Sequence, residues 1–179
     1  MNQLVERDSI LTRYLQGPSF LECALVGLQE ADLDKLPADG GWTIRQIVHH
    51  IADGDDIWKT CIKVALGNEQ AEFTLAWYWA LAQKDWADRW AYASRSLEPS
   101  LALLKASRAQ VQQLLDQIPD GWSRSVGVRN RKGEIERVTV GFVVEMQADH
   151  LQHHVNRILA IRKEGGGTQP VDTPDGAPR

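Results

Sequence analysis

Apolar residues recur at helical spacing through most of this 179-residue chain, and glycine or proline interrupts them at a few places. That pattern restricts the chain to a helical architecture. A first short helix is expected over about Leu4 to Leu15, ended by Gly17-Pro18. The same pair opens a second helix from Pro18 or Ser19 to about Glu30, carrying Phe20, Leu21, Ala24, Leu25 and Leu28. DLDKLPADGG then breaks the pattern. Thr43, with Gln46 three residues later, forms a capping box, and the helix it starts runs from Ile44 to about Leu66, where Gly67-Asn68 stops it.

Residues 69 to 96 are rich in tryptophan and tyrosine and read as short helices in a crossover. Their large rings either cover the flank of the bundle or form an aromatic wall for a substrate. A further helix spans about Leu97 to Ile118, ended by Pro119-Asp120-Gly121. The period then changes. Ser123 to Val128 and Glu134 to Val140 alternate around Asn130-Arg131-Lys132-Gly133, the pattern of a short hairpin. Thr139 is placed to cap a last helix reaching about Lys163. The segment 164 to 179 has too few apolar residues to pack and is expected to be disordered. Four substantial helices and one long crossover describe an all-α four-helix bundle, a single domain over residues 1 to 163.

The formal net charge is −4, and no basic stripe is present to meet phosphates, which argues against nucleic acid as a partner. The local cluster of Arg129, Arg131 and Lys132 reads as a solvated turn. Cys23 and Cys61 lie in apolar helical patterns without ligand spacing and read as small buried hydrophobes. The N-terminus carries charges where a signal peptide needs an apolar run, and no stretch reaches membrane-spanning length. The expectation is a cytoplasmic protein without membrane contact.

All five histidines fall in two places: His49 and His50 in one helix, and His150, His153 and His154 in the last. Imidazole is a common ligand for Zn, Ni, Fe and Cu ions. At about 100° per residue, His150 and His154 lie about 40° apart on the side of Val143, Gln147, Ile158 and Ile161. His153 falls on the flank. In the earlier helix His50 borders the apolar arc, whereas His49 points away from its centre. The wheel selects His50, His150 and His154. Spacing alone leaves open that these are ordinary core histidines of a metal-free protein. Three converging imidazoles each need a partner for their ring nitrogens, and one metal serves all three. Three neutral ligands leave a divalent ion coordinatively open, as in catalytic sites, where it lowers the pKa of a bound water or thiol. No HExxH motif, GxSxG, P-loop or dinucleotide fingerprint accompanies them.

The stretch GWTIRQIVHHIADGD and the later ADHLQHHVNRI resemble the DinB-like (YfiT-type) superfamily of metal-dependent enzymes. The likeness extends over about residues 17 to 163, with the first sixteen residues and the tail looking like additions. It implies an up-down-down-up bundle, commonly dimeric, that binds Zn, Ni or a similar divalent ion. Its ligands would be His50, followed by an aliphatic and a small residue, and the HxxxH pair His150 and His154. By the same resemblance the activity on a small-molecule substrate would be that of a hydrolase, or of an S-transferase using a low-molecular-weight thiol. A non-catalytic, metal-stabilised, stress-associated bundle is the competing reading. Asp53 and Asp149 are candidates to orient a ligand or carry a proton, against a reading as solvated acids. Arg157 is a candidate contact for an anionic substrate, against a reading as an exposed or ion-paired arginine.

Overall fold

The computed structural model describes residues 2–164. Its elements are α1 (Asn2–Leu25), α2 (Glu30–Leu33), α3 (Ile44–Gly67), β1 (Glu72–Thr74), α4 (Ala76–Trp79), α5 (Gln83–Arg89), α6 (Leu97–Gln117), β2 (Ser125–Arg129), β3 (Ile135–Thr139) and α7 (Val140–Glu164). The four long helices form the bundle. α1 and α3 each pack against both α6 and α7 and so lie diagonally opposite. His49, Asp55 and Lys59 of α3 meet Ser100, Arg108 and Ser107 of α6, which makes those two helices parallel. Arg13 and Ala24 of α1 meet Asp149 and Arg162 of α7, again in parallel. His50 and Gly54 of α3 both meet His150, and Ile44 shares a cavity wall with Ile161, so α3 and α7 are antiparallel. The arrangement is up-down-down-up. No helix among the described residues is long and apolar enough to cross a membrane.

The start of α3 is fixed by the expected capping box. Thr43 Oγ1 accepts from the Gln46 amide at 3.3 Å, and Gln46 Oε1 accepts from the Thr43 amide at 3.0 Å. Thr139 Oγ1 likewise accepts from the Phe142 amide at the start of α7. The hairpin forms as β2 and β3, antiparallel, with Val126 opposite Val138. The crossover contributes the short helices α4 and α5, together with β1. This third strand, parallel to β2, lies in the tryptophan-rich stretch read as helical. Three residues are too short a run for alternation to signal a strand.

The largest departure is at the N-terminus. The expected break at Gly17-Pro18 does not occur, and one helix runs from Asn2 to Leu25 with Pro18 inside it. Proline in a helix has no N–H for the carbonyl four residues earlier, here that of Tyr14. That carbonyl is not orphaned, because Arg108 Nη1 of α6 donates to it at 2.6 Å. Residues 2–16 therefore belong to a helix of the bundle, with Ile10 and Tyr14 in its core. The helix expected to reach Glu30 ends at Leu25, and the one-turn α2 follows. Glu164, assigned to the tail, is the last residue of α7. The expectation of disorder beyond it concerns residues outside those described.

The buried side chains form two apolar clusters. One lies at the sheet end, around Ile62, Leu66, Leu115, Val126 and Val143. The other surrounds Leu21, Ile47, Ile51, Leu104, Leu151 and Ile158. Along every bundle helix the boundary falls in the same zone, and a polar layer built on Asp55, Arg108 and Gln147 occupies it.

Candidate metal centre

The capped start of α3 places His50 two turns into that helix, and α7 brings His150 and His154 on successive turns to face it. His50 Nε2 lies 3.1 Å from His150 Nε2, which lies 3.2 Å from His154 Nε2. One ring nitrogen from each of the three lies within 4.8 Å of the others. The rings are half-buried and meet edge to face, with centroids 4.6 to 5.0 Å apart. Burial penalises the imidazolium in each. It takes His50 down to about 3, helped by His150 and His154. It takes His150 down to about 4, with Arg108 and His153 adding to the effect. His154 falls to about 3 with help from its neighbours His150 and His153. All three are neutral at physiological pH, each with a lone pair to give.

This donor set fits a divalent cation. His150 Nε2 stands within hydrogen-bonding distance of both neighbours, yet it carries one proton or one lone pair and serves one of them. The three Nδ1 atoms are buried without a hydrogen-bond partner. Three bonds of about 2.0–2.1 Å to a tetrahedral ion separate the donor nitrogens by about 3.3 Å, close to the 3.1 and 3.2 Å that separate His150 Nε2 from its two neighbours.

Trp42 stands beside the cluster, its ring edge-on to His50 with centroids 4.8 Å apart. Gly54 is one turn after His50, and a Cβ built there would meet only His150 Cε1, at 3.7 Å. Asp53 is mostly buried. It receives Arg95 Nη1 at 3.2 Å and the Tyr92 hydroxyl. Burial and the Asp53 carboxylate both raise Tyr92, keeping it protonated as the donor. His49 is fully buried, contrary to its expected outward position. α3 has a second packed face, against α6, where His49 Nδ1 pairs with Ser100 Oγ at 2.8 Å and Nε2 with the Arg95 carbonyl at 3.2 Å. A single-arc wheel does not anticipate two buried faces.

Asp149 is exposed and paired with Arg13. Arg157 is held by Asp39 at 2.5 and 2.6 Å. His153 is exposed, with its ring against that of His154. Of the cysteines, Cys61 is buried and its thiol pushed up to about 12 by burial, but Cys23 is exposed on the outer face of α1. Arg129 is not in a solvated turn. It sits in β2 with a two-pronged grip on Glu72, and Arg131 lies over Trp79.

Two residues of the centre's surroundings escaped the sequence reading, Asp55 and Arg108. Their signal was present: each interrupts an apolar helical row, Ile51-Asp55-Ile62 in α3 and Leu104-Arg108-Val111-Leu115 in α6. Opposite charges on two core-facing rows announce a buried pair.

The sequence pattern of the DinB superfamily matches residues 16–158. A relative from Geobacillus kaustophilus is 28% identical over 150 residues, covering 83% of this chain and 80% of the relative. It bears the provisional name of metal-dependent hydrolase. YfiT of Bacillus subtilis, named in the same way, is 26% identical over 163 residues, 90% of this chain and 86% of its own. The solved structure of YfiT, described as having an unusual four-helix bundle topology, superposes with a TM-score of 0.77 over 90% of this chain and 89% of that one, at 24% identity.

Proposed function

The chain belongs to the DinB superfamily, and from that premise we propose that it is a metal-dependent hydrolase of a small-molecule substrate. His50, His150 and His154 hold the ion through their Nε2 atoms, and zinc or nickel suits this all-imidazole set. The observation that carries the reading is the convergence of three half-buried, neutral imidazoles on one point. When bound, the ion supplies Lewis-acid chemistry and lowers the pKa of a coordinated water or thiol.

The chain's own residues supply the rest. Burial keeps the three rings unprotonated and the donor geometry fixed. Trp42 shields one side of His50 from water. Asp53, one turn from His50, is held by Arg95 and the Tyr92 hydroxyl and is the acid placed to take up a proton. Asp149 and Arg157, each already paired on the surface, have no such position.

The names of the relatives favour water as the nucleophile. A thiol-dependent S-transferase uses the same open site. Assaying the zinc- and nickel-loaded protein on a panel of activated esters and amides, with and without low-molecular-weight thiols, separates the two. Turnover without thiol supports the hydrolase. Turnover of electrophiles only when thiol is present overturns it in favour of the transferase. A loaded protein inert to both, whose metal serves only to raise the melting temperature, is the stress-associated bundle instead.

A further inference from the structure

Arg108 is 1% exposed and heads the large side chains that are fully buried. From α6 it reaches the other three bundle helices. Nε and Nη2 donate to Asp55 of α3 at 2.8 and 2.9 Å. Nη1 donates to the Tyr14 carbonyl of α1 at 2.6 Å, and Nη2 to the Gln147 carbonyl of α7 at 3.0 Å. The guanidinium also lies over the Tyr14 ring, 4.3 Å from its centroid. Two features of α1 make room for it. Pro18 frees the Tyr14 carbonyl, and Gly17 has no Cβ, which would stand 2.4 Å from Nη1.

A buried ion pair is a poor device for stability alone, since apolar residues of similar volume serve as well or better. What sets this pair apart is where its ends attach. Asp55 directly follows Gly54, the residue that faces His150. Gln147 is one turn before His150 on α7. The guanidinium fork therefore ties the helix of His50 to the helix of His150 and His154 at the level of the histidines, with directional bonds that apolar packing lacks.

We infer that Arg108 is a positioning residue, whose fork between Asp55 and the Gln147 carbonyl sets the spacing of His50 from His150 and His154. The inference rests on the metal-site reading above.

The test is cobalt binding by the full chain, followed by dissociation constant and visible absorption. The variants are the double substitution Asp55→Leu with Arg108→Met, which removes both charges and keeps the volume, and Arg108→Lys, which keeps the charge without the fork. Circular dichroism and the melting temperature report whether each is folded. A folded variant is expected to bind cobalt at least about tenfold more weakly than the wild type, the loss typical when a ligand's outer support is removed. Its absorption should also weaken and shift as the donors spread. Wild-type affinity and spectrum in either folded variant would overturn the inference while leaving the metal site standing. Failure of the wild type itself to bind cobalt would remove both.

Discussion

The ring of Trp42 meets that of His50 edge-on, 4.8 Å between centroids. An indole this close to the proposed ligand makes metal binding visible in fluorescence. Titration with copper or nickel should quench part of the emission, a minority share because the chain has seven tryptophans. In Trp42→Phe the quenching should shrink sharply, with metal still bound by direct assay. Full quenching in that variant would place the ion elsewhere.

Removing one partner of the Asp55–Arg108 pair leaves the other charged and buried. Arg108→Met alone should lower unfolding free energy by about 3–5 kcal/mol, read from urea denaturation. Adding Asp55→Leu should restore most of it. A single substitution that costs almost nothing would mean the pair is far better hydrated than its 1% exposure on both sides implies.

Gly54 occupies the interior of α3, where glycine is less favourable than alanine by about 1 kcal/mol. A Cβ there would make an ordinary contact of 3.7 Å with His150 Cε1. Gly54→Ala should therefore stabilise the metal-free protein by up to about 1 kcal/mol, with cobalt affinity changed little. A loss of stability would show that the neighbourhood is tighter than that distance.

The three histidines set a pH dependence. Their folded pKa values of about 3 to 4 lie below the ordinary 6.5. As pH falls below 6.5 the unfolded chain takes up protons first, so the metal-free protein loses stability progressively down to about pH 4. Melting curves of chelator-treated protein between pH 7 and 4 should show this. A variant carrying His150→Ala and His154→Ala should lose much of the slope, and an unchanged slope would assign it to the carboxylates.

The long helices and the histidine set were legible in the sequence because both depend on local period. His50, His150 and His154 lie on core-bordering faces, and one period calculation finds them. Pro18 misled for a physical reason: its helix-breaking effect is local, but the compensation comes from Arg108, ninety residues away. His49 misled because a wheel with one apolar arc does not foresee a helix packed on two sides. β1 was hidden because it is three residues long and borrows its order from β2. The Asp55–Arg108 pair was readable as charges in apolar rows, yet its meaning required knowing that α3 and α6 are neighbours.

The most direct measurement is elemental analysis of protein purified without a histidine tag, compared with the variant carrying His150→Ala and His154→Ala. The account predicts about one zinc or nickel ion per wild-type chain and a near-complete loss of metal in the folded variant. Full metal content in that variant, or a wild-type chain that takes up no divalent ion when one is offered, would contradict it.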